Sequence, residues 1–206
     1  GIGDSDSDYI NSVASTSDGG IIAGGYFYSR NIDLGNGVSL TNKGSYDGMI
    51  IKYNSSGECE WAKVIGGSDW DEINSVAETS DGGYVAGGYF TSSSIEIGNG
   101  ISLTTKGRRH GMIIKYDKIE LPNPITVQAK GIGGSESDKI NSVAECSDGG
   151  IIAGGYFSRS IDLGNGVSLT NKGSYDGMII KYSAGGECEW AKRIGGSSND
   201  EINSVA

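Results

Sequence analysis

Apolar residues along this chain come in short runs, and polar clusters separate them. Near the start the runs are Ile10–Ser15, Gly20–Phe27, Gly48–Tyr53 and Glu60–Ile65. β-branched and aromatic residues fill them, and Gly, Asn, Asp and Ser bound them, which predicts four strands. Within Gly48–Tyr53, the side chains of Met49, Ile51 and Tyr53 point one way and those of Ile50 and Lys52 the other. Ile21, Ala23 and Phe27 oppose Ile22 and Tyr26 in the same manner. Both faces are apolar at the centre, so these strands are expected to be covered on both sides.

The punctuation carries its own mechanism. In Thr16-Ser17-Asp18-Gly19-Gly20 an aspartate can bond nearby backbone N–H groups and glycine can take a positive φ. Asn54-Ser55-Ser56-Gly57 is a second turn of this kind. Tight turns between neighbouring runs predict antiparallel pairing. The longer link from Phe27 to Gly48 holds a candidate hairpin, Ile32 to Leu40, centred on Asn36-Gly37.

The pattern repeats. Ile-Asn-Ser-Val-Ala begins at Ile10, Ile73, Ile140 and Ile202, at spacings of 63, 67 and 62 residues. Each copy follows a Ser-x-x-Asp turn that ends at Asp8, Asp71, Asp138 or Asp200. The repeats run approximately over 1–64, 65–131 and 132–193, and 194–206 starts a further one. The middle copy diverges. It has Arg108-Arg109-His110 where its neighbours have Ser-Tyr-Asp, and an insertion within Asp117–Val127 that holds both prolines. Gln128 stands there in place of the tryptophan found at Trp61 and Trp190.

Four-stranded antiparallel sheets covered on both faces are what radial stacking provides, so the expected fold is all-β: a β-propeller segment of about three blades, one per ~63-residue repeat. A β-solenoid is the alternative; its usual rungs of about 20–30 residues fit this period poorly. In its Asp-Leu-Gly-Asn-Gly-Val-Ser-Leu-Thr stretch the chain resembles bacterial tandem-repeat β-propellers of the seven-bladed SBBP type and their cell-surface relatives. Asp47 to Tyr53, Trp61 to Gly67 and Ser80 to Gly88 carry the same likeness. The resemblance implies a secreted or cell-surface protein and assigns no chemistry. Propellers usually close with 4–8 blades. We therefore expect a piece of a longer array, the alternative being self-assembly of copies into a ring.

Composition narrows the function classes. There are 36 glycines but only 2 prolines, without a three-residue period, which excludes collagen. The net charge of −10 argues against a nucleic-acid partner, because phosphate binding needs a basic face. No apolar stretch is long enough for a transmembrane helix. Cys59, Cys146 and Cys188 are too few and too scattered for a disulfide framework.

Candidate chemistry is sparse, because repeats present like groups at several points whereas catalysis converges unlike groups on one. We expect a non-enzymatic binding or scaffold module with a protein or glycan ligand. Alternatives are a lectin-like propeller and an enzyme completed by blades outside this chain. Trp70 has no repeat equivalent and is the best candidate for an exposed binding aromatic, with Trp61 and Trp190 as further ones. Arg108 and Arg109 form a small basic spot beside His110, which reads as an exposed turn variant. No cofactor is expected. Asp4, Asp6, Asp8, Asp69 and Asp71 are oxygen-rich candidates for calcium, although the Ser-x-x-Asp pattern is better explained as a turn that satisfies backbone N–H groups.

Overall fold

A computed structural model describes residues 2–3, 6–117 and 126–206. In the first repeat the strands are β1 (Asp8–Ser15), β2 (Ile21–Phe27), β3 (Asn31–Gly35), β4 (Val38–Thr41), β5 (Asp47–Tyr53) and β6 (Cys59–Ile65). β1, β2, β5 and β6 form an antiparallel sheet in that order, and β3 and β4 form a separate hairpin. The second repeat has the same design in β7 (Asp71–Glu78), β8 (Tyr84–Phe90), β9 (Ser94–Gly98), β10 (Ile101–Thr104), β11 (His110–Tyr116) and β12 (Thr126–Ile132). The third has it in β13 (Lys139–Glu145), β14 (Ile151–Phe157), β15 (Ile161–Gly164), β16 (Val167–Leu169), β17 (Asp176–Tyr182) and β18 (Cys188–Ile194). The expected all-β architecture of about three four-stranded repeats is present. Most of the insertion of the middle repeat, with both prolines, lies outside the described residues.

The hairpins form where Asn-Gly predicts them. Asn36 and Gly37 take φ of 52° and 74°, Asn99 and Gly100 take 54° and 73°, and Asn165 and Gly166 take 52° and 75°. Two successive positive φ values match the twist of a two-residue hairpin, and Asn-Gly tolerates them best. The turn asparagine also ties the hairpin to its sheet: Asn36 Nδ2 donates to Cys59 O at 3.0 Å and Asn165 Nδ2 to Cys188 O at 3.1 Å.

A β-bulge sets the first strand of every sheet. Pairing slips between Ile10 and Ser12, between Ile73 and Ser75, and between Ile140 and Ser142. In a regular strand Ile10 and Val13 would face opposite sides. The extra residue, an asparagine, brings both to one face.

That face packs on the neighbouring sheet. Ile73 and Val76 of β7 sit over Gly24 of β2; a Cβ at Gly24 would lie 2.7 Å from each side chain. Ile140 and Val143 meet Gly87 in the same way, and Ile202 and Val205 meet Gly154. Glycine is required here because the next sheet occupies the space of its side chain. Toward the outer strands a hairpin fills the gap instead. Ile95 and Ile97 of β9 join Ile22, Ile50, Trp61 and Ile65 of the first sheet and Ala86, Met112 and Ile114 of the second in one core. Ile161, Leu163 and Leu169 do the same between the second and third sheets.

Candidate ligand-binding rim

Two devices recur in each repeat, and the first accounts for Asp8 and Asp71 among the predicted acidic sites. The first is the Ser-x-x-Asp turn. Asp71 is buried; its Oδ1 accepts from Thr91 N (3.0 Å) and Ser92 N (3.2 Å), and its Oδ2 from Gly67 N (2.8 Å) and Ser92 Oγ (2.6 Å). Asp8 accepts from Tyr28 N, Ser29 N and Ser29 Oγ. Asp138 holds Gly134 N at 2.9 Å and Ser158 N at 3.0 Å. The oxygens of Asp8 and Asp71 therefore serve backbone N–H groups, as the turn reading expected. Burial raises the Asp71 and Asp138 carboxyls above the usual carboxylate range, against the lowering effect of these bonds. Asp69 accepts from Ser68 Oγ at 3.0 Å, Asp6 is exposed, and Asp4 lies outside the described residues. Among the described residues no group of three His, Cys, Asp or Glu side chains could hold a metal ion.

The second device joins the Ser-Asp-Gly-Gly turn to the lysine of the third sheet strand. Lys52 is buried and pairs with Asp18 at 2.8 Å and Glu60 at 3.0 Å. Lys181 pairs with Asp148 at 2.8 Å and Glu189 at 3.2 Å, and Lys115 with Asp81 at 3.1 Å. Asp81 is held down to about 2, first by the Thr79 hydroxyl and then, against its own burial, by the N–H of Gly83 and by Lys115.

His110 and Trp61 require correction as site residues. His110 is buried, not an exposed turn variant. It occupies the position of Asp47 and Asp176, whose carboxylates accept from the N–H of Lys43 and Lys172. Its Nε2 lies 3.2 Å from Lys106 N and 2.8 Å from Gly134 O, so it replaces the aspartate as a turn anchor. A single ring nitrogen cannot both accept from one and donate to the other, so the tautomer decides which bond forms. Trp61 is buried against Tyr84 of the second sheet, with ring centroids 5.7 Å apart. Packing of the next sheet covers it. Trp190 occupies the same position on the third sheet and is exposed.

Trp70 is exposed as expected, and aromatic rings from separate strands and turns surround it. The N–H of Asp71 donates to Tyr46 O at 2.7 Å, which sets Trp70 beside Tyr46. Their ring centroids are 5.0 Å apart. Tyr26 lies 5.7 Å from Tyr46 and 6.2 Å from Trp70; Tyr28 lies 4.9 Å from Tyr46, and Tyr9 stacks on Tyr26 at 4.9 Å. Burial, and then the charge of Glu72, raise the Tyr26 phenol above its ordinary value.

At the next junction Arg109 takes the place of Tyr46. Its guanidinium lies 4.2 Å from the Tyr89 ring centre and donates to Tyr156 Oη at 2.9 Å. Tyr89 Oη in turn donates to Glu72 at 2.7 Å, and Lys139 Nζ lies 5.3 Å from the same ring. Arg108 lines an adjacent open cleft with Glu136, Arg159 and Tyr175. Arg108 and Arg109 thus do not act as one basic spot: Arg109 is internal to the rim.

The sequence places Ile-Asn-Ser-Val-Ala in a strand and uses it to mark the period, but it gives the asparagine and serine no role. It staples the repeats together. Asn11 Nδ2 donates to Ile73 O (2.9 Å), Asn74 to Ile140 O (2.7 Å) and Asn141 to Ile202 O (3.0 Å). Ser12 Oγ accepts from Val76 N, Ser75 Oγ from Val143 N and Ser142 Oγ from Val205 N. The available signal was a pair of polar residues at one place in every copy of an otherwise apolar strand.

The fold and rim define a tandem-repeat all-β module. No family model matches the chain. Over 157 residues it is 25% identical to an uncharacterised WD repeat-containing protein of Acanthamoeba polyphaga mimivirus, a match covering 71% of this chain. The chain spans 11% of the length of that relative.

Proposed function

We propose that the chain is a non-enzymatic binding or scaffold module, three consecutive blades of a β-propeller within a larger protein. The observation that carries this is the asymmetry of the sheet contacts. Glycine thins each junction at the second strand, and a hairpin thickens it toward the fourth. Sheets stacked on such wedges fan about an axis on the side of their first strands. The distant similarity to a WD repeat-containing protein supports the same reading, since WD repeats are four-stranded propeller units. The stretches that resemble SBBP-type propellers favour a bacterial secreted or surface setting.

Function then resides in the rims, where the repeats differ. An array of immobilised peptides and glycans tests this with the folded protein. Saturable binding that leaves the bound molecule chemically intact is expected. Turnover detected by mass spectrometry of the bound molecules would overturn it. A lectin-like variant of the reading draws on the exposed ring of Trp70, because sugars stack on such rings.

A further inference from the structure

The three copies place one backbone framework at three junctions and furnish it differently. The N–H of Asp71, Asp138 and Asp200 donates to the carbonyl of Tyr46, Arg109 and Tyr175 respectively. A tyrosine near the end of each second strand, Tyr26, Tyr89 or Tyr156, lies beside that framework. At the middle junction the tyrosine already carries a cation. Arg109 brings its guanidinium carbon within 4.2 Å of the Tyr89 ring centre, well inside the roughly 6 Å range of a cation–π contact.

At the first junction Tyr46 replaces that arginine. Tyr9 stacks on Tyr26, and Tyr28 and Trp70 flank Tyr46, so the open ring of the site is that of Trp70, which is 41% exposed; no cation is seen on Tyr26, Tyr46 or Trp70 among the described residues. Glu72 lies between this junction and the next: its Oε1 accepts from Asn11 Nδ2 at 3.1 Å, its Oε2 from Tyr89 Oη at 2.7 Å, and its charge acts on the Tyr26 phenol. The last junction keeps two tyrosines, Tyr156 and Tyr175, in a cleft with Asn199, Asp200 and Glu201, but Asn199 stands at the position of Trp70 and Arg109 already donates to Tyr156 Oη. The whole chain carries −10, which draws cations toward these sites.

We propose that the aromatic–acidic junction of Tyr26, Tyr46, Trp70 and Glu72 binds the guanidinium or ammonium side chains of a basic peptide segment, taking from a partner the cation that Arg109 supplies internally at the next junction. The inference rests on the binding-module reading and names its ligand class.

The test is a titration at physiological salt, followed by NMR of the Trp70 indole and the tyrosine rings. The probes are an acetylated, amidated Gly-Arg-Gly-Arg-Gly peptide, its citrulline counterpart of equal shape and no charge, and a methyl glycoside. Shifts at Trp70 and Tyr46 with the arginine peptide are expected, with binding at least about tenfold weaker for citrulline. Tyr46→Arg copies the middle repeat and should fold normally while filling the site, removing the Trp70 shifts. Trp70→Ala should weaken binding without the new cation. Equal binding of the citrulline peptide, shifts scattered over the acidic surface, or unchanged binding in Tyr46→Arg would overturn the proposal. Stronger shifts from the glycoside at the same rings would also overturn it, while leaving the binding-module reading intact.

Discussion

Asn74 shows how much one side chain of the repeat can carry. Its amide reaches Ile140 O, in the next sheet, at 2.7 Å. Asn74→Ala leaves that carbonyl without its donor and is expected to cost about 1–2 kcal/mol in urea denaturation. Gly87 works at the same junction. Gly87→Ala adds a methyl 2.6 Å from Val143 Cγ1 and 2.8 Å from Ile140 Cγ2. Overpacking of this kind costs about 1–3 kcal/mol, and an unchanged melting temperature would contradict the close approach. Asp47 has a different signature. Burial pushes its carboxyl up to about 6, and Oδ1 finds no partner among the described residues. The folded state then keeps a proton that the unfolded chain releases near 4, so stability falls as pH rises from about 4 to about 6. Asp47→Asn should flatten part of that slope. Asp81 acts with the opposite sign. Its contribution is present above about 4 and is lost as pH falls through about 2. The contacts of Asn74 and Gly87 were not legible in the sequence, because they join residues that are distant along the chain, whereas the bond from Gly83 N to Asp81 is the local one that the Ser-Asp-Gly-Gly turn predicts.

Individual strands and turns were more legible. The Asn-Gly hairpins, the antiparallel pairing and the four-strand unit follow from local chemistry: turn residues that accept a positive φ, and apolar runs of strand length. Gly166→Val should therefore cost about 1–2 kcal/mol, since a β-branched residue resists the φ of 75° that the hairpin needs. Strand ends were less legible. β1 begins at Asp8, two residues before its apolar run, because Asp8 pairs with Phe27 and its carboxylate holds the N–H groups of Tyr28 and Ser29. The bulge at the asparagine was missed for a related reason. Strict alternation assigns Ile10 and Val13 to opposite faces, and only the slipped register brings them together.

For the whole molecule, the first and later sheets differ in what covers the same positions. Ile73 is 0% and Val76 5% exposed, whereas Ile10 is 39% and Val13 63% exposed. Val13→Lys should change stability by less than about 0.5 kcal/mol, while Val76→Lys should unfold the second junction by burying an unpaired charge. Thermal melts of the two variants test the contrast directly.

The amino-acid sequence determined the period, the strands, the hairpin turns and the presence of an apolar surface on both sides of each sheet. Those properties depend on residues close together in the chain or on their recurrence. The rim could not be read in this way. Tyr26, Tyr46 and Trp70 meet because the backbone of one repeat bonds to the turn that opens the next, and Trp61 and Trp190 share one motif yet differ in burial because the second sheet covers only the first. Packing between repeats is non-local. It decides which of several identical residues is core, which is surface, and which aromatic rings share one site.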